Sequence, residues 1–165
     1  MIVRKAKSTD AKRVAEINVI GWHTAYKGLV PADFLAKWQV TERRIEKFKE
    51  NILNKQNICL VAELNGSVIG YLSGGYNREN ADIPFQYEVY ALYVDPDFQR
   101  NGAGRLLLQH FHQKIKHTPF FLHAMKGNEK ADAFYIKMGG RRVPEYDIDK
   151  TWGDVTRRIE AFVFN

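Results

Sequence analysis

The sequence predicts an α/β protein of the mixed (α+β) kind: one mixed sheet with helices on both faces. Three observations carry this. Stretches with two-residue alternation, suited to strands, are interleaved with stretches of 3.6-residue periodicity, suited to helices. Their order is β-α-α-β-β-β-α-β-α-β-β, in which hairpins and crossover helices are mixed, so parallel and antiparallel pairs share a sheet. One segment, Tyr90 to Leu108, reads as a buried strand, a short turn with two glycines and a helix start.

Ile2 to Lys7 alternates apolar and polar residues and is the first strand. Ser8-Thr9-Asp10 offers helix caps, and Val14, Ala15, Ile17 and Trp22 continue at helical spacing to about Tyr26. Gly28 and Pro31 break that helix, and a second is expected from about Ala32 through Trp38 to Ile52. Ile58–Leu64 and Ser67–Ser73 are strands joined by Asn65-Gly66, a strong hairpin signal. Gly74-Gly75 and Asn77 to Asp82 read as loop, and Phe85 to Val94 as a long strand. Gly104 to Lys116 is a helix, Phe120 to Met125 a strand, and Asn128 to about Met138 a helix stopped by Gly139-Gly140. Arg141–Asp147 and Val155–Phe164 close the sheet, linked by a loop containing Trp152-Gly153.

A chain of 165 residues defaults to one domain, here 1–165. At that size about 70% of the unfolded surface is buried, enough for a real core. With 45% hydrophobic and 27% charged residues the composition is that of a globular protein. No run approaches the ~20 apolar residues of a membrane span, and no apolar segment follows the basic residues of Met1 to Lys7 as a signal peptide requires. Cys59 is the single cysteine and reads as a small buried hydrophobe. Together these suggest a cytoplasmic protein with no membrane partner. The net charge is +6 and the isoelectric point about 9.4. The arginine pairs Arg43-Arg44, Arg141-Arg142 and Arg157-Arg158 are scattered among acids, which reads as a solvated surface, so nucleic acid is not the expected partner. A polyanionic small molecule would still be favoured.

The glycine-bearing turn is a phosphate seat in outline. Main-chain N–H groups at a helix start are unpaired and sit at the positive end of the helix dipole. It is not a P-loop, since no Gly-Lys-Ser or Gly-Lys-Thr occurs, and it is not a dinucleotide fingerprint, since Leu107 stands where the third glycine would be. It fits Q/R-x-x-G-x-G/A through Gln99-Arg100-Asn101-Gly102-Ala103-Gly104. This resembles the pyrophosphate loop of the GNAT superfamily, the acetyl-CoA-dependent N-acetyltransferases. Val94 to Pro96 before the turn, and Asn128 and Phe134-Tyr135 after it, strengthen the resemblance, and the element order agrees along essentially the whole chain.

The resemblance implies a GNAT-like acyl-CoA N-acyltransferase fold, with the sheet split between its fourth and fifth strands and the co-substrate acetyl-CoA in the split. It implies a cofactor-binding set of Leu92, Tyr93, Val94, Gln99, Arg100, Asn101, Gly102, Ala103, Gly104, Arg105, Asn128 and Tyr135. A main-chain N–H near Leu92, at a strand bulge, is expected to meet the thioester oxygen. Acetyl transfer to an amine needs a neutral amine, donors for the oxyanion and a proton for the thiolate. Tyr135 matches the tyrosine placed near the sulfur, and a phenol of pKa ~10 can protonate a thiolate; equally, it packs beside Phe134. Glu88 is the candidate base. It is expected to share a face with Tyr90 and Leu92, and it either takes the proton or binds the ammonium. His123 is a second candidate base, although a hydrogen-bonded core histidine is the plainer reading. His110, His112 and His117 read as surface residues, and no metal-ligand spacing is present. The acceptor pocket would be walled by Trp22, His23, Tyr26 and Tyr146, with Trp152 and Glu88 beside them; Trp22 alternatively anchors its helix. The acceptor is a small-molecule or peptide amine, and a homodimer is allowed. The rival from another class is a non-catalytic acyl-CoA-binding sensor on the same fold.

Overall fold

The computed structural model describes residues 1–78 and 82–165. Its elements are β1 (Ile2–Lys5), α1 (Ala11–Ala25), α2 (Ala32–Ala36), α3 (Glu42–Leu53), β2 (Asn57–Leu64), β3 (Ser67–Tyr76), β4 (Tyr87–Val94), α4 (Ala103–Lys114), β5 (Phe120–Met125), α5 (Glu129–Lys137), β6 (Arg141–Arg142), β7 (Ile148–Trp152) and β8 (Val155–Phe164). The sheet runs β1-β2-β3-β4-β5-β8-β6, with β7 paired to β8. The β2–β3 hairpin turns through Asn65 and Gly66, both at positive φ (51° and 81°), the backbone that the Asn-Gly pair predicts.

Helices α4 and α5 cover one face, where Leu107, Leu108, Phe111 and Tyr135 pack with Leu72, Leu122 and Phe162. Helices α1 and α3 cover the other, where Val14, Ile17 and Ile52 pack with Val61 and Tyr71. A ring-rich cluster of Trp22, Leu35, Met125 and Val155 continues that second face across to β5 and β8. Among the described residues no helix is long and apolar enough to cross a membrane.

Four expectations are corrected. The second helix is two helices, because Trp38 leaves the helical path to stack on Trp22 at 4.0 Å and Thr41 starts α3 afresh, its side chain accepting from Arg44 N. Tertiary packing has overridden a continuous helical pattern. Gly74-Gly75 is strand rather than loop: a methyl on Gly74 would lie 2.5 Å from the Phe111 ring, and one on Gly75 2.7 Å from the Tyr90 hydroxyl, so these glycines admit neighbours. Phe85 precedes β4, in a loop where the Asn77 amide donates to the carbonyls of Ile83 and Phe85. The expected strand 141–147 stops at Arg142, since Pro144 cannot donate to a ladder; a separate β7 then forms a hairpin with β8. The loop reading of Asn77 to Asp82 lies partly outside the described residues.

Candidate active site

The sheet opens where the resemblance places the split. β4 and β5 pair in parallel only at Tyr87–Phe120, Glu88–Phe121 and Val89–Leu122; beyond these the strands part. The β4 backbone is aimed into the gap. Asp95 N donates to Ile69 O at 2.9 Å, a bond that flanks the Gly70–Val94 pair. That pair, and Leu72–Leu92 two residues on, are therefore of the non-hydrogen-bonded kind. The N–H groups of Leu92 and Val94 thus turn away from β3 and toward the split.

The bulge exists, at Tyr90. Ser73 stands opposite Ala91 but Gly74 opposite Val89, leaving Tyr90 extra. This resets the side-chain alternation. Val89 and Leu92 both pack on the α4 side, while Ala91 and Tyr93 pack on the α1 side. The expectation that Glu88 shares a face with Leu92 is therefore wrong: one step before Val89, Glu88 lies on the α1 side.

At the end of β4 the turn is held by Asp95, which is buried and accepts from Asp97 N and the Arg13 guanidinium. Gln99 folds back and donates to Val94 O at 3.1 Å. Arg100 (φ 64°) and Gly102 (φ 90°) adopt left-handed backbone. Asn101 accepts from Ala103 N at 3.4 Å. Among the described residues, no protein acceptor takes the amides of Gly102, Gly104 or Arg105, so donors remain free at the start of α4. A methyl on Gly102 would meet only the Arg105 guanidinium, at an ordinary 3.8 Å, but one on Gly104 would lie 3.1 Å from Phe134 Cζ. Gly104 thus serves the packing of α4 on α5 at least as much as ligand approach. Asn128 caps α5, accepting from Ala131 N at 3.3 Å.

Tyr135 is buried among Phe134, Phe162 and Phe164. Burial pushes its hydroxyl well above the ordinary phenol range, with the nearby Tyr26 adding to it. Glu88 is 4% exposed and sits in the paired part of β4, opposite Phe121. It accepts from Arg78 N at 3.2 Å and lies 3.9 Å from the Arg78 guanidinium, which rests over the Tyr90 ring. His123 donates Nε2–H to Tyr146 O at 2.9 Å, the hydrogen-bonded core role.

The expected acceptor walls divide. Trp22, Tyr26 and Trp152 come together with Phe34 and Trp38, but Trp22 is the buried centre of that group, stacked on Trp38 and met edge-on by Tyr26 and Trp152. His23 is exposed and donates to Trp38 O. Tyr146 belongs to a separate cluster with Phe85, Phe121 and Val143. Sequence reading missed Arg78, which engages Glu88, and Gly21 on α1, which makes room for the Tyr93 ring; Tyr93 itself, expected only at the co-substrate, turns its ring to the α1 face, where its hydroxyl lies 3.0 Å from that of Tyr26. Only Gly21 left a signal, as a lone glycine inside a helical pattern.

Comparisons with known proteins agree with this geometry. The family model of the acetyltransferase (GNAT) family matches residues 22–139, and the chain belongs to that family. It is 35% identical over 106 residues to the uncharacterized N-acetyltransferase YuaI of Bacillus subtilis, covering 64% of this chain and 59% of that protein. It is 31% identical over 96 residues to the N-alpha-acetyltransferase RimI of Mycobacterium tuberculosis, covering 58% of this chain and 60% of that protein. The chain thus spans about six-tenths of the length of each of these relatives. Among solved structures, the PaiA N-acetyltransferase of Thermoplasma acidophilum in complex with coenzyme A superposes with a TM-score of 0.76 at 20% identity, over 99% of this chain and 98% of that one. YncA of Salmonella typhimurium, a putative acetyltransferase solved with acetyl-CoA, gives 0.71 at 18% identity, over 100% and 93%. At these identities the likeness is one of fold.

Proposed function

We propose that the chain, as a single domain, moves the acetyl group of acetyl-CoA to a primary amine by direct attack in a ternary complex. The observation that carries this is the pair of β4 amides, Leu92 and Val94, aimed into the open split at the end from which α4 starts. Leu92 N–H meets the thioester oxygen as it becomes negative. Val94 holds the arm of the co-substrate, and the free amides at Gly102, Gly104 and Arg105 take its pyrophosphate. Attack by the amine forms the C–N bond; collapse restores C=O and releases the thiolate, which Tyr135 protonates. A phenol pushed upward by burial is fully protonated at neutral pH, and its phenolate is unfavourable there, so it must be reprotonated in each cycle. Glu88 is the carboxylate of the acceptor side. A cationic acceptor would take the place of the half-exposed Arg78 guanidinium at this carboxylate, a role of attraction rather than direct proton abstraction.

The acceptor is a small amine, polyamine, aminoglycoside, amino acid or protein N-terminus; the ring-rich floor suits one with an apolar body or a cation over a ring. Thiol release from acetyl-CoA, screened against members of each class, should rise above solvent hydrolysis for at least one. Tyr135→Phe should lower kcat by about 10- to 100-fold with unchanged acetyl-CoA affinity, at or below the low end of general-acid effects. Tight acetyl-CoA binding with no amine-dependent thiol release would favour the sensor reading instead.

A further inference from the structure

We propose that the paired hydroxyls of Tyr26 and Tyr93 receive the acceptor nitrogen and carry away its surplus proton. This deepens the acetyl-transfer reading and rests on it.

The placement comes from the backbone. Tyr93 stands between Leu92 and Val94, whose N–H groups face the split, so its own side chain drops to the α1 face beside the reacting carbonyl's seat. There it meets Tyr26, hydroxyl to hydroxyl at 3.0 Å. The arrangement is built for, since a methyl on Gly21 would collide with the Tyr93 ring. Glycine inside α1 weakens the helix relative to alanine, and the fold tolerates that to seat the ring.

The chemistry follows from what two phenols offer. One hydroxyl donates to the other, which leaves one O–H to donate and lone pairs on both oxygens to accept. An amine about to attack needs its N–H bonds accepted and its lone pair left free. Neutral oxygens meet that need without holding the nitrogen as an ammonium, as a carboxylate does. Burial raises both phenols, so the pair stays uncharged at neutral pH. The carboxylate alternative, Glu88, lies in the paired part of β4 and is engaged by Arg78.

The proton account closes. After attack the nitrogen carries one proton too many and sulfur needs one. The N–H bond breaks as Tyr26 accepts and passes its own proton to Tyr93, 3.0 Å away, which gives one to water; Tyr135 delivers its proton to sulfur and takes one back from water. One N–H bond is lost, one S–H bond is formed, and each phenol ends as it began.

The test compares wild type, Tyr26→Phe, Tyr93→Phe and the double variant. Thiol release from acetyl-CoA is measured with 1,3-diaminopropane, glycinamide and an alanine-initiated tetrapeptide. Each single variant should lose about tenfold or more in kcat, the double variant should be no worse than the poorer single, and acetyl-CoA Kd should not move. Rates in mixed light and heavy water should bow for wild type and become linear in the single variants, which a merely structural role would not produce. In wild type labelled at tyrosine ¹³Cζ, acetyl-CoA should shift Tyr26, Tyr93 and Tyr135 and leave Tyr76 and Tyr87 in place. Active wild type with unaffected or strictly additive variants overturns the relay alone. Acetyl-CoA that shifts these signals in an enzyme inactive with every probe overturns the transfer reading, and the relay with it.

Discussion

The two sides of the split are made of different material. The proposed cofactor side is backbone: Leu92 and Val94 amides and the first amides of α4, set out within 14 consecutive residues, Leu92 to Arg105. The proposed acceptor side is side chain: Trp22, Tyr26, Phe34, Trp38, Tyr93 and Trp152, drawn from four elements and the segments after α1 and α2. A surface that offers N–H groups serves any pyrophosphate and needs glycine to expose it. A surface that offers rings is shaped by whatever must fit on it. The first is expected to be common to the fold, and the second is where a family member acquires its own acceptor.

The largest effect should come from Gly104→Val, which attacks the cofactor side at its hinge with α5. The added methyls meet Phe134 and approach Val94, 3.1 and 3.8 Å from a Cβ. Overpacking of this kind costs about 1–3 kcal/mol. Calorimetry should therefore show acetyl-CoA affinity weakened by about 10- to 100-fold, with a lower Tm, since Phe134 precedes Tyr135. Gly102→Ala is the companion: its methyl makes only an ordinary 3.8 Å contact with Arg105, so the left-handed backbone alone is penalised, by about 1–2 kcal/mol. A folded Gly104→Val protein with wild-type affinity would sink the placement of the pyrophosphate at α4.

This contrast also explains what could be read in the sequence. The strand-turn-helix from Tyr90 to Leu108 was legible because its pieces are contiguous and its glycines have a backbone reason. The hairpin at Asn65-Gly66 was legible likewise. Gly74-Gly75 misled because they look like turn residues; their reason is the Phe111 ring and the Tyr90 hydroxyl, which only the packed fold supplies. Trp38 misled because its helical spacing is intact while its partner, Trp22, lies 16 residues earlier. Glu88 was found, but its face was misjudged, because a bulge is a relation between two strands and leaves no mark on one. Arg78 was missed because a surface arginine looks the same in sequence whether or not it holds a carboxylate.

A middling effect is expected from Glu88→Gln on the acceptor side. If Glu88 attracts a cationic acceptor, the acceptor KM should rise by about 3- to 10-fold while kcat stays within about twofold of wild type. Such a split would sharpen the comparison, because acetyl-CoA affinity on the other side should not change. If Glu88 is the base, kcat/KM should drop, with partial recovery as pH rises and more amine is neutral. Unaltered acceptor KM together with an unaltered pH–rate profile would remove Glu88 from both roles.

The smallest effect lies behind α5, the element that serves both sides. Asp147 and Asp132 both lie near Arg142 but are held differently. Asp147 accepts two bonds from Arg142, at 2.7 and 3.0 Å, and one from Ala161 N at 2.8 Å. Burial alone would raise its carboxyl, and these bonds outweigh that and hold it below the ordinary range. Asp132, one turn before Tyr135, has a buried Oδ1 with no hydrogen-bond partner among the described residues. Burial pushes its carboxyl up, and the Glu160 charge adds to that; Arg142, paired to Glu160 at 2.9 Å, opposes it. The signs are opposite. Between its ordinary and raised values Asp132 binds more proton folded than unfolded, so its contribution to stability falls as pH rises through that window. Asp147 contributes stability above its unfolded value and loses it as pH falls through the depressed one. Asp132→Asn keeps the shape and removes only the first of these. The Tm of the variant minus that of wild type should grow from pH 4 upward and level off by neutral pH, at about 1–3 °C. The acid limb that Asp147 helps to set should remain. A Tm difference that is flat across that range, or that shrinks as pH rises, would mean that Asp132 is solvated in solution and that α5 rests on no strained carboxyl.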